Sequence, residues 1–129
     1  MIAVDSSAII AALYFEDDES RVRAALKATD RAIVSTANVL ELQIVVAGSR
    51  SKTGWTDVEA LLALYSIEMR PFDERHLRIA REAAVRYGKG RHRAALNFGD
   101  CFAYALAKSE DIPLLCTGTD FAATDVAIA

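Results

Sequence analysis

The chain has 129 residues, 53% hydrophobic and 26% charged, with a formal net charge of −3 at pH 7. That length is one domain's worth of chain, residues 1–129, and buries roughly two-thirds of its unfolded surface, so folding needs no disulfide or metal staple. Two prolines and six glycines exclude long disordered linkers, and the negative balance excludes a generic nucleic-acid coat protein.

Ile2 to Val4 reads as a short buried strand that stops at Asp5. Asp5, Ser6 and Ser7 can each cap the helix that follows through Ala8 to Leu13. The apolar run from Ala8 to Phe15 is too short to span a bilayer, and an acid precedes it where a secretory signal has Lys or Arg, so no targeting segment is expected. Glu16 to Ser20 makes an acidic opening for a second helix, with Val22, Ala25 and Leu26 inward and Arg21, Arg23 and Lys27 toward solvent.

Arg31 to Val34 reads as a second strand. Ser35 or Thr36 then caps a helix containing Val39, Leu40, Leu42, Ile44, Val45 and Val46, apolar on nearly every side and so expected to be buried, with Glu41 in its middle. Gly48 to Gly54 is a loop, and Trp55 to Tyr65 an amphipathic helix. Ile67, Met69 and Phe72 alternate with charged residues in a strand ending near Pro71. Asp73 opens a helix that Gly88 ends. Lys89 to Leu96 is a basic connector, and Asn97 caps a helix from Phe98 to Glu110. Pro113 to Cys116 is a further strand, Thr117 to Asp120 a turn, and Val126 to Ile128 a candidate last strand. Short strands alternating with helices predict an α/β fold, a short-stranded parallel sheet covered by helices on both faces.

Charge is uneven along the chain. Eight of the fifteen Lys and Arg residues fall between Arg70 and Arg93 against three acids, and none of the residues from Ala83 to Gly99 is acidic. Cys101 and Cys116 sit in apolar stretches and read as reduced core thiols, with a disulfide the other reading; reduced thiols suit a reducing cytoplasm.

Four acids stand out. Asp5 ends a strand, and ligands of open α/β sheets bind at the carboxyl ends of strands; read alone it is a helix cap. Glu41 lies between Leu40 and Leu42, where an ionised carboxylate must be ion-paired, protonated or metal-bound, unless the helix is less buried than its pattern suggests. Asp100 completes a capping box with Asn97, yet its neighbours Phe98, Gly99, Cys101 and Phe102 do not belong to an ordinary exposed first turn, and Gly99 costs helix stability unless something approaches it closely. Asp120 follows a strand and a Thr-Gly-Thr turn, where turn chemistry alone could account for it. Together, clustered carboxylates suit a hard cation, Mg²⁺ or in its place Mn²⁺. Competing chemistries lack their residues. His76 and His92 have no metal-ligand spacing, no glycine-rich phosphate loop follows the first strand, and the cysteines have no CxxC spacing.

The segments Val4-Asp5-Ser6-Ser7-Ala8, the mid-helix Glu41, Leu96-Asn97-Phe98-Gly99-Asp100-Cys101-Phe102-Ala103, and Pro113-Leu114-Leu115 followed by Gly118-Thr119-Asp120-Phe121 resemble the PIN-domain ribonucleases, in particular the VapC-type toxins of bacterial toxin–antitoxin pairs. One departure is Arg93 after His92, where relatives commonly have Pro. The resemblance implies a three-layer α/β/α PIN-like fold and Mg²⁺-dependent endonucleolytic cleavage of RNA. It makes Asp5, Glu41, Asp100 and Asp120 the catalytic acids, with Asp5, Asp100 and Asp120 holding the metal. It also implies a cognate antitoxin of the VapB type and a homodimer.

A polyanionic substrate needs cations near such acids, and Arg86, Lys89, Arg91 and Arg93 are the candidates to grip phosphates, with Tyr87 as a stacking surface. Ser6, Ser7 and Thr117 are read as caps of turns and helices, with water positioning the alternative. Two other readings remain open at this point: a receiver-like Mg²⁺-binding signalling domain, and a non-catalytic interaction module on a PIN fold.

Overall fold

The computed structural model describes residues 1–49 and 52–129. Four strands, β1 (Ile2–Val4), β2 (Ala32–Ser35), β3 (Glu68–Arg70) and β4 (Leu114–Leu115), form one parallel sheet in the order β3-β2-β1-β4. The register sets Ile2 beside Ala32, Ala3 beside Leu114 and Val34 beside Met69. The expected last strand contracts to a single bridge between Leu114 and Ile128. Six helices surround the sheet: α1 (Ser6–Leu13), α2 (Glu19–Ala28), α3 (Thr36–Gly48), α4 (Trp55–Leu64), α5 (Glu74–Tyr87) and α6 (Phe98–Glu110). Of the predicted Gly48–Gly54 loop, Arg50 and Ser51 lie outside the described residues.

The central strands read as unbroken apolar runs because both of their faces are covered. Successive side chains alternate between the faces. Ile2, Val4, Ala32, Val34 and Leu115 share one core with Ile9, Val22, Leu42 and Val58 from α1 to α4. Ala3, Ile33, Leu114 and Cys116 share the other with Ala80, Ala83, Tyr104 and Leu106 from α5 and α6. Burying each Ile or Leu fully contributes about 1.5–3 kcal/mol. Helix α6 is buried nearly all round, with seven consecutive positions from Cys101 to Ala107 broken only by the half-buried Phe102. The two cysteines are buried and unbridged.

Two expectations are corrected. Helix α3 is not buried all round: Leu40 and Ile44 are 62% and 65% exposed. It packs on β2, α1, α4 and α6 by one side only, and nothing else among the described residues covers the other. Apolar periodicity does not distinguish a side covered within the chain from one left open. Arg23 does not project into solvent. Its guanidinium donates to Glu19 (2.7 Å), the Tyr65 hydroxyl (2.9 Å) and the Ala12 carbonyl (3.0 Å), tying α2 to α1 and α4.

Candidate active site

The strand β1 ends at Asp5, whose N–H donates to the Leu115 carbonyl at 2.9 Å. That bond fixes Asp5 at the carboxyl edge, between β2 and β4. Asp5 caps α1 through one oxygen, which accepts the Ser7 N–H at 3.0 Å. Its other oxygen, Oδ1, is buried with no hydrogen-bond partner, although the residue is only 2% exposed. An unsatisfied buried carboxylate oxygen is costly. Burial pushes the Asp5 carboxyl up to about 7; the charges of Asp100 and Glu41 add to this, and the bonds to Ser7 oppose it.

Glu41 comes from the second turn of α3, which starts directly after β2. Its Oε1 accepts from the Ser6 hydroxyl and from Asn38 Nδ2, the latter at 3.2 Å. Asn38 also donates to the Gly99 carbonyl at 3.0 Å, so one buried amide joins α3 to the start of α6. Gly99 faces Glu41 so closely that a Cβ there would overlap the carboxylate. This is the close approach that the sequence predicted.

Asp100 does complete the capping box. Its carboxylate accepts the Asn97 N–H and its own N–H donates to Asn97 Oδ1, both at 2.9 Å. Burial raises its pKa against the effect of the Asn97 bond, and the charges of Asp120 and Glu41 raise it further. Asp120 is exposed, opening the short 3₁₀ turn Phe121–Ala123 with no side-chain cap. The turn before it needs Gly118, at φ +77°.

The structure thus brings acids from four separate elements to one edge. None of the four has a cationic partner within 4.0 Å among the described residues, so Glu41 has no ion pair there; it is half-buried, on a helix less buried than its pattern suggests. As placed, no three His, Cys, Asp or Glu side chains among the described residues form a closed ligand group. The acids influence one another in pairs, Asp5 with Asp100 and Glu41, Asp100 with Glu41 and Asp120, and one oxygen of the set is buried without a partner. That is the donor chemistry of a hard cation which keeps several waters.

Sequence reasoning missed Asn38. The signal was a polar residue in an apolar helix three positions before Glu41, hence on the same face. The serines were also misjudged. Ser6 holds Glu41, and Ser7 accepts the Thr117 N–H at 3.1 Å, which ties α1 to the loop that carries Asp120. Neither hydroxyl caps a helix.

Of the basic candidates, Lys89, Arg91 and Arg93 are exposed on the 88–96 loop. Arg86 lies 4.7 Å over the Tyr87 ring and 3.8 Å from Asp125. Tyr87 is no stacking surface: it is buried against Tyr104 and His92, because the 88–96 loop folds back and the Leu96 N–H bonds the Tyr87 carbonyl at 2.9 Å.

Comparisons with known proteins give the family and the fold. The model of the PIN domain family matches residues 2–127. A ribonuclease VapC of Mycolicibacterium smegmatis is 40% identical over 126 residues, 98% of each chain. Among solved structures, VapC20 of Mycobacterium tuberculosis, described as a sarcin-ricin loop cleaving toxin, superimposes with a TM-score of 0.76 at 16% identity over 100% of this chain and 98% of that one. A toxin–antitoxin complex from Klebsiella pneumoniae gives 0.70 at 15% identity, over 100% and 97%. The strand order β3-β2-β1-β4 also differs from the 2-1-3-4-5 order of receiver-type sheets, leaving that rival without support. The chain belongs to the PIN-domain family and, within it, to the VapC ribonucleases.

Proposed function

We propose that this protein is a Mg²⁺-dependent endoribonuclease and the toxin of a toxin–antitoxin pair. The observation that carries the metal is the buried, partnerless Oδ1 of Asp5 among four carboxylates that have no ion pair among the described residues. Asp5, Asp100 and Asp120 are the residues to hold the ion, with Mn²⁺ a plausible substitute. A bound Mg²⁺ supplies charge stabilisation at the scissile phosphate and acidifies a coordinated water.

The chain's own residues do the positioning. Ser6 and Asn38 hold Glu41 in one orientation, facing the place where a nucleophilic water must be ordered. The capping box holds Asp100 rigidly. Ser7 fixes the Thr117 end of the Asp120 loop. The exposed cations Lys89, Arg91 and Arg93 would approach the phosphates of the RNA, which the acids alone would repel.

The relatives' names support an antitoxin partner, which would silence the enzyme by covering the acidic edge. The uncovered Leu40 and Ile44 of α3 favour a second copy in a homodimer. No helix among the described residues is long and apolar enough to cross a membrane, and the two buried free thiols suit a reducing cytoplasm.

The test is cleavage of RNA by the purified chain with Mg²⁺ and with chelator. The reading expects cleavage only with the metal. Metal-independent cleavage, or none at all from folded protein, would overturn it.

A further inference from the structure

Helix α5 and the first turns of α6 enclose an open groove of about 790 Å³, lined in part by Asn97, Phe98 and Cys101 on either side of Asp100 in sequence. Phe98 is 83% exposed, the most exposed large apolar side chain among the described residues. A single exposed apolar residue is ordinary; three features set this one apart. Its ring is held against Phe102 at 4.7 Å and 75°, and Phe102 in turn against Phe72 at 5.0 Å and 73°, so the exposed ring is braced rather than loose. It is the first residue of α6, two positions before Asp100. The groove also carries Arg81 and Lys89, and neither has a carboxylate within 4.0 Å among the described residues.

We propose that the face of Phe98 is the platform on which the base next to the scissile phosphate stacks, with Lys89 and Arg81 following the backbone along the groove. The inference rests on the ribonuclease reading and adds where the RNA lies. Its physical logic is electrostatic. An Arg or Lys at the start of α6, the helix that carries Asp100 in its first turn on another side, would add positive charge that weakens the carboxylates' hold on a cation. A neutral aromatic face binds a base without neutralising them, and every base has a face to offer. The phosphate-binding charges then sit further along the groove, where the chain from Ala83 to Gly99 has no acid. Stacking requires an unstacked base, so the preferred cleavage position is a single-stranded loop or bulge rather than a continuous duplex.

The test uses Asp100→Asn protein, so that RNA stays intact, and a fluorescein-labelled 12-nucleotide RNA of random sequence. Adding Phe98→Ala should weaken binding roughly 5- to 150-fold. Phe98→Trp should restore it, and Phe98→Leu should not, because area without a π-face does not stack. Lys89→Ala and Arg81→Ala should each lower the salt dependence of binding by about one ion, whereas Phe98→Ala should leave that slope unchanged. In cleavage of total cellular RNA with Mg²⁺, Phe98→Ala alone should raise KM with little change in kcat.

Unchanged RNA affinity in Phe98→Ala overturns the platform while leaving the ribonuclease reading intact. So does unchanged affinity combined with a shift from dimer to monomer in sedimentation equilibrium, which would show that the ring faces a second copy. Wild-type protein that neither binds nor cleaves RNA overturns both. The ring is exposed, and a thermal melt checks that the variant stays folded.

Discussion

Asp125 and the four acids at the sheet edge have opposite surroundings. Asp125, near the C-terminus, accepts the Tyr104 hydroxyl at 2.6 Å and Lys108 Nζ at 3.2 Å, with Arg86 at 3.8 Å. The Tyr104 bond, aided by Lys108, holds its carboxyl below the usual range. Asp5 and Asp100 have no cation within 4.0 Å among the described residues, and burial pushes both carboxyls upward. The same side-chain chemistry is thus satisfied in one place and left wanting in the other. A fold that pairs Asp125 with three neighbours has no difficulty supplying cations to an acid, so the bare set at the sheet edge is not an accident of composition. The contrast separates an acid that clips the C-terminal segment to α5 and α6 from acids that have no ion pair among the described residues.

The sharpest way to break this comparison is to neutralise one member of the bare set. Asp100→Asn keeps an acceptor for the Asn97 N–H and so preserves the capping box. It removes one metal-holding charge. Loss of several kcal/mol of charge stabilisation implies a fall of roughly 100-fold or more in RNA cleavage with Mg²⁺. Retained activity in the folded variant sinks the site assignment. Gly99→Ala probes the same place sterically. The new Cβ must displace the Glu41 carboxylate, and with it the Ser6 and Asn38 bonds. We expect a loss of roughly 1–3 kcal/mol in urea unfolding together with weak cleavage; stability equal to wild type would mean that α3 and α6 part easily.

Asp5 gives a prediction that inverts the usual sense of damage. Burial pushes its carboxyl up to about 7 in the folded chain, from an ordinary Asp value of about 3.9. Below pH 4 both states hold the proton. Between pH 4 and 7 the unfolded chain releases it and the folded chain does not, so this group's contribution to stability is lost as pH rises and stays lost above 7. Asp5→Asn has no such slope, and Asn caps a helix as well as Asp does. Without metal at pH 8, Asp5→Asn should therefore be the more stable protein by roughly 1–2 kcal/mol, while cleaving RNA poorly. The gap should close at pH 4. Mg²⁺ at 100 times its Kd should return about 2.7 kcal/mol to wild type at pH 8 and much less to the variant. A metal-free wild type as stable as Asp5→Asn across this range would show that Asp5 is better solvated than its burial indicates.

Much of this was readable from the chain because local rules and tertiary structure agree. Ile2 to Val4 and Leu114 to Leu115 are apolar on both faces, and Asp5, Ser35, Asp73 and Asn97 cap the helices they precede. Gly99 announced a close neighbour by its cost to the helix. What the chain did not disclose were relations between distant segments. The open side of α3 depends on what is absent opposite Leu40 and Ile44. The burial of Tyr87 depends on a loop that follows it. Ser6 and Ser7 look like caps because capping is local, while their partners Glu41 and Thr117 lie 35 and 110 residues away. Asp120 could be named through the family resemblance, yet its own surroundings carry little signal, since an exposed acid after a turn has many ordinary reasons to be there.

The smallest expected effect completes the comparison. Asp125→Asn removes a charge from a well-paired acid that is 40% exposed, in a cluster open to water. Exposed ion pairs contribute about 0–1 kcal/mol because solvent screens them and the long side chains lose freedom. The Tyr104 hydroxyl keeps an acceptor in the amide. We therefore expect urea unfolding within about 1 kcal/mol of wild type, Mg²⁺ stabilisation as in wild type, and undiminished RNA cleavage. The sign of any stability change is also fixed. A carboxyl held below its usual range contributes stability above its unfolded pKa and loses it as pH falls, so the small deficit of Asp125→Asn should shrink toward pH 3, the reverse of the Asp5 profile. A large loss of cleavage in Asp125→Asn would join the two acid groups into one system. Unequal pH profiles of opposite sign would keep them apart, one acid serving the fold and the others awaiting a cation.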